Sequence, residues 1–116
     1  MNEKISDKLR LKHALLAIQE IETYISQKTY EAFFEDSMLK SACMHQLSII
    51  GDAFANISDS IKKENPKIDW KGFIGLRIKI VHVYFGIDYK IVWSIIKEEL
   101  PVLKYQLEKI YNGLLI

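Results

Sequence analysis

Apolar residues recur three and four positions apart along nearly the whole chain, a period that leaves few alternatives to a set of packed helices. Leu11, Ala14, Leu15, Ile18, Ile21 and Ile25 fall on one stripe of a helix spanning about Ser6 to Gln27, with Ser6 or Asp7 placed to cap its N-terminus. Thr29 to Phe34 reads as a connector able to form a short helical turn. A second long helix follows from about Asp36 to Lys63, where Leu39, Cys43, Leu47, Ile50, Phe54, Ile57 and Ile61 alternate steps of four and three. Asn65-Pro66 stops it, because the residue before proline is pushed out of the α region. Gly51 inside this helix costs about 1 kcal/mol relative to alanine, which points to a close helix approach there.

Asp69 can cap a third helix from Trp70 to about Phe85, ended near Gly86. Asp88 caps a fourth, from Tyr89 to about Glu99. Pro101 either kinks that helix or opens a fifth, which lasts to Asn112 and closes at Gly113. No repeat, linker or low-complexity tract interrupts the 116 residues, so 1–116 reads as one domain. The expected architecture is all-α, an antiparallel bundle of four to five helices. Two prolines and five glycines are too few for an all-β domain of this length. A domain this small buries roughly two thirds of its unfolded surface, so an added interface would help it.

Net charge is +1, which predicts neither a nucleic-acid coat nor a membrane-surface protein. The distribution is less even. Lys62, Lys63, Lys67, Lys71, Arg77 and Lys79 stand against Glu64 and Asp69 between Ser60 and Ile80. From Glu20 to Asp36 the balance reverses, with Glu20, Glu22, Glu31, Glu35 and Asp36 against Lys28. Either run could be a solvated face. The single cysteine, Cys43, can form no intrachain disulfide and sits in the apolar seam. The start, Met-Asn-Glu-Lys, has no apolar signal core, and no uncharged run approaches membrane-spanning length. A cytoplasmic protein without membrane association is expected.

Metal chemistry finds little support. His13 and His45 lack a second ligand at helical spacing, and Cys43 lies on the wrong side of the helix for His45. There is no phosphate-cradling loop, Cys-x-x-Cys pair or nucleophile elbow. The third helix differs, since it places Arg77, His82 and Tyr84 within two turns. Arg77 and Tyr84 share a face, and His82 lies about 140° around from Arg77. A guanidinium recognises phosphate with two parallel bonds. An imidazole can take or give a proton, as RNA cleavage by its own 2′-hydroxyl requires, and that reaction needs no metal. It does need both a base and an acid, whereas this helix offers one His. A symmetric homodimer apposing two copies of the helix would supply the second. By spacing alone, a hydrogen-bonded His82 and a surface Arg77 fit as well.

The set Arg77, four residues, His82, one residue, Tyr84 resembles the signature of HepT-like members of the HEPN superfamily. So do Leu47-Ser-Ile-Ile-Gly-Asp-Ala, Asn65-Pro-Lys-Ile-Asp-Trp70, His82-Val-Tyr-Phe-Gly-Ile-Asp, Val92-Trp93 and Leu100-Pro101, in that order over essentially the whole chain. The resemblance implies a dimer with a composite RNase site between protomers. It also implies a toxin held in check by a minimal nucleotidyltransferase antitoxin of the MntA type. In that family the antitoxin can transfer AMP from ATP to the motif tyrosine, here Tyr84; no other cofactor is implied. Arg77 would then hold the scissile phosphate, His82 would handle the proton, and Lys71 and Lys79 would add phosphate attraction. The family usually carries a polar residue after the motif Arg, and here that residue is Ile78. A non-catalytic module that binds a nucleotidyltransferase or nucleic acid is the alternative. The acidic run from Glu20 to Asp36 is a candidate antitoxin-facing surface. Trp70, Phe73, Tyr84, Phe85, Tyr89 and Trp93 are expected mainly in the core or dimer interface, with one or two free to stack on unpaired bases.

Overall fold

A computed structural model describes residues 3–82 and 86–114, with the side chains of residues 77–82 outside that description. The chain is all-α, with no strand among the described residues. Its helices are α1 (Glu3–Ile25), α2 (Tyr30–Glu35), α3 (Ser37–Ala55), α4 (Asp59–Glu64), α5 (Trp70–His82), α6 (Tyr89–Ser94) and α7 (Leu100–Gly113). A five-residue π turn, Ile95–Glu99, joins α6 to α7 as one continuous rod.

α3 is the central helix, packed between α1 and α5, and α7 lies against α1. Three cross-links give their directions. Asp7 near the start of α1 meets Ser58 beyond the end of α3, while Tyr24 near the end of α1 accepts from Gln46 Nε2 at 3.1 Å. Phe54 near the end of α3 packs on Trp70 and Phe73 at the start of α5. Lys8 and Lys12 of α1 lie over the ring of Tyr111, late in α7. Each neighbouring pair is therefore antiparallel. The expected stripes form the core: Leu11, Ala14, Ile18, Ile21 and Ile25 from α1, and every seam residue from Leu39 to Ile61.

Most punctuation is where the sequence puts it. Thr29 caps α2 by accepting from the Ala32 N–H at 3.1 Å, and Asp36 caps α3 through the Leu39 N–H at 3.0 Å. Asp88 opens α6 through the Lys90 N–H at 2.9 Å. Two expectations need correcting. α1 begins at Glu3, so neither Ser6 nor Asp7 caps it; both lie inside the helix. Asp7 is buried and accepts from Ser58 instead, at 2.8 Å from the backbone N–H and 2.6 Å from the hydroxyl. The helix expected from Asp36 to Lys63 breaks at Asn56, and α4 restarts after Ser58, whose extended backbone Asp7 holds. Ile57 and Ile61 remain buried across the break, which is why the apolar pattern runs on uninterrupted.

Pro101 lies in the first turn of α7, so the final helix opens at proline as expected and runs to Gly113, directly after the π turn. Val92, Ile96 and Leu100 are all buried, and two steps of four drift about 80° around an ideal α-helix. The wider π turn takes up that drift, with the Leu100 N–H reaching the Ile95 carbonyl. The same widening lets the rod pass proline, which has no N–H to give.

Candidate active site

The site helix is phased from its first turn. Asp69 Oδ1 accepts from the Gly72 N–H at 3.0 Å, and a Cβ on Gly72 would collide with that carboxylate. Trp70 Nε1 donates to the Asn65 carbonyl at 3.0 Å, tying the helix to the Asn65-Pro66 stop. Trp70 and Phe73 meet the Phe54 ring edge-on, with centroids 4.7 and 5.6 Å away. Those two contacts turn the Trp70–Phe73 stripe toward α3.

That phase sorts the motif. Position 77 is one turn beyond Phe73 and about 40° around from it. His82 is three turns beyond Lys71 and within about 20° of it, on a different face. Lys79 lies on the same side as His82, about 60° away. One chain thus carries Arg77, Lys79 and His82 within about 7.5 Å of helix length but does not bring Arg77 and His82 onto one face. Tyr84 lies outside the described residues, as do Phe85 and the expected end of the helix near Gly86.

A groove of about 370 Å³ lies along the first half of α5. Lys71, Gly75 and Leu76 of α5 form one wall; Ile91 of α6 with Ile95 and Glu99 of the π turn form the other. Gly75 faces open space, since a Cβ there would meet nothing within 4 Å. Ile91 is 59% exposed, an unusual position for a large apolar side chain beside a groove. The π turn's part in this wall was not read from the sequence. Its signal was present in the repeated four-residue step before Pro101.

The remaining candidates separate clearly. Cys43 is fully buried, and burial pushes its thiol up to about 11. His45 is exposed on α3 and His13 is half-buried on α1. No group of three His, Cys, Asp or Glu side chains able to hold a metal occurs among the described residues. No described helix is long and apolar enough to cross a membrane. In the acidic run, Glu22 pairs with Lys104 at 3.0 Å and Asp36 serves as a cap, while Glu20, Glu31 and Glu35 are exposed. Trp70 and Phe73 are core; Tyr89 and Trp93 join Tyr30, Phe33 and Phe34 in a part-buried aromatic cluster.

Residues 14–110 match the family described as Ribonuclease HepT-like. The chain belongs to that family. A protein of Thermococcus cleftensis named "Probable ribonuclease HepT" is 36% identical over 107 residues, covering 92% of this chain and 97% of the relative. A candidate RNase of Caldanaerobacter subterraneus subsp. tengcongensis is 33% identical over 100 residues, covering 86% and 89%. A Methanocaldococcus jannaschii protein that joins gamma-glutamylcyclotransferase to a candidate RNase in its name is 34% identical over 107 residues. This chain spans 48% of that longer relative. No solved structure matches the chain. The family match encloses all of α5 and the groove beside it, so the Arg77–His82 pair falls inside the shared region.

Proposed function

We propose that the protein is a metal-independent endoribonuclease toxin, acting as a homodimer with its active site in the cleft between protomers. The observation that carries this reading is the placement of Arg77 and His82 on one helix, α5, within a family whose relatives are named as ribonucleases. In the reaction, one imidazole takes the proton of a 2′-hydroxyl and O2′ attacks the neighbouring phosphorus. Arg77 holds the phosphate oxygens as negative charge builds on them. The P–O5′ bond breaks, the leaving O5′ takes a proton from a second imidazole, and a 2′,3′-cyclic phosphate remains.

The same geometry supports the dimeric part of the reading. One α5 carries one His and turns Arg77 and His82 to different faces, so a second copy is what brings two histidines and an Arg to one phosphate. The exposed Ile91 and the apolar part of the groove supply surface that a partner copy would cover. Regulation is assigned to Tyr84. An MntA-like nucleotidyltransferase antitoxin would transfer AMP from ATP to its hydroxyl with loss of pyrophosphate. The added phosphate and adenine would fill the cleft and pair with Arg77.

The test is cleavage of a labelled single-stranded RNA in the presence of a chelator. His82→Ala and Arg77→Ala should each lower the rate by at least about a hundredfold. Full activity in purified His82→Ala sinks the nuclease reading. Co-expression with the nucleotidyltransferase should add AMP mass to the wild type and none to Tyr84→Phe, and the modified protein should be inactive. The second reading, a non-catalytic binding module, is favoured by Ile78, which removes the polar residue that usually follows the motif Arg. Capture of the nucleotidyltransferase with no RNA turnover at high enzyme concentration would select it.

A further inference from the structure

The groove beside α5 adjoins two further depressions that share lining residues in sequence and together make a furrow. Around the start of α5, a depression of about 380 Å³ is bordered by Lys62, Lys63 and Lys71, and shares Lys71 and Asp69 with that groove. Beyond Ile68, which borders both, a larger one of about 710 Å³ lies between the α4–α5 connector and the second half of α7. Lys67 stands on one wall, Tyr105 and Lys109 on the other. Tyr105 is 64% exposed, and Lys109 Nζ lies 5.3 Å from its ring centroid.

The lining has the chemistry of a single-stranded nucleic-acid track. Five lysines border it, and the ion pair between Lys104 and Glu22 involves none of them. Asp59, Glu64, Asp69 and Glu99 also border it, and the excess of lysine, five to three, lies in the two depressions beyond the groove. Lysine is depleted at protein–protein interfaces, so this density of lysine favours a polyanion over a protein. An exposed aromatic face under a cation is how single strands are held without sequence readout. The distance also fits a polymer: Lys71 alone is about 16 Å of helix from His82, and Tyr105 lies beyond the far end of α5.

We infer that this furrow is a distal RNA-binding subsite, in which the lysines track the phosphates and Tyr105 stacks on a base several nucleotides from the cut. The inference rests on the ribonuclease reading and extends it to α7, which carries none of the motif residues. It is tested with Tyr105→Ala and Lys109→Gln, using an unstructured RNA of about twelve nucleotides and a trinucleotide as substrates. Each variant should raise KM for the long RNA about tenfold, leave kcat within about twofold, and leave trinucleotide cleavage unchanged. Lys109→Gln should also flatten the salt dependence of long-RNA affinity by about one unit of log–log slope. An unchanged KM for the long RNA, or an equal loss on both substrates, overturns the inference. So does loss of nucleotidyltransferase capture with RNA kinetics intact, which gives the furrow to a protein. A wild-type protein that cleaves neither RNA fails the ribonuclease reading instead; anisotropy with the same long RNA then replaces KM, and equal affinity in both variants overturns the subsite.

Discussion

Asp7 does for a distant helix what its position in the sequence suggests it would do for its own. Its carboxylate, 3% exposed, satisfies both the N–H and the hydroxyl of Ser58, 51 residues away, at the point where the α3 helix has ended and α4 begins. Removing it strands a donor pair in a partly buried site, so Asp7→Ala should lower stability by about 2 kcal/mol, read as a fall in the denaturant midpoint at constant m-value. Asp7→Asn keeps one acceptor and should lose less. Cys43 gives a second residue-level expectation. With its thiol raised to about 11 by burial, very little is thiolate at pH 8, so native protein should resist iodoacetamide while unfolded protein is alkylated. The sign for stability follows: the unfolded chain ionises this thiol first, so its contribution falls as pH rises through about 9 to 11. Cys43 was legible as core because its seam position is local information. Asp7 was not, because a capping residue can serve any N-terminus that tertiary structure brings to it.

At the level of elements, local signals located the starts of α3, α5 and α6 and the close of α7, and two of the misses share a cause. Thr29, Asp36, Asp69 and Asp88 all cap the helices they precede, since an Asx or Thr side chain needs only the next three residues to act. The break at Asn56 and the π turn before Pro101 were hidden, because the apolar pattern that normally reveals a helix survives both interruptions. Ile57 stays buried after the helix has stopped, and Leu100 stays in phase because the turn has widened. The break leaves no mark in the spacing, and the π turn leaves only the repeated step of four from Val92 to Ile96 to Leu100, whose meaning depends on what the rod packs against. α1 ends with one strained residue, Gln27, at φ 60, where a Cβ crowds the following carbonyl. Gln27→Gly should relieve that strain against the larger entropy of a glycine in the unfolded chain. The first term is roughly 1–2 kcal/mol and the second is smaller. A net gain of about 0.5 kcal/mol, a rise of a few degrees in Tm by calorimetry, is the expected result.

For the whole molecule, the sequence gives an arrangement of charge and phase that a single bundle leaves unfinished. The bundle itself follows from the stripes, and the motif helix is held by Trp70, Phe73 and the Asp69 cap in an orientation that no short-range rule could supply. Along that helix the backbone phase separates positions 77 and 82 by about 140°, which is the argument for a composite site. The dependence on two histidines can be separated from dependence on one by mixing. If wild-type and His82→Ala chains exchange freely at equal amounts, about a quarter of the dimers are wild type, half are mixed and a quarter are doubly substituted. Where acid and base come from different protomers, only the first class turns over at the full rate, and cleavage should fall to about a quarter of that of the same total wild-type protein. Where each protomer's His82 acts alone, about half the activity survives. A stopped assay after subunit exchange, verified by native mass spectrometry of an isotopically marked chain, distinguishes the two. Tyr84→Phe mixed in the same way should leave the rate unchanged, because that residue's assigned role is to accept AMP and not to move the proton.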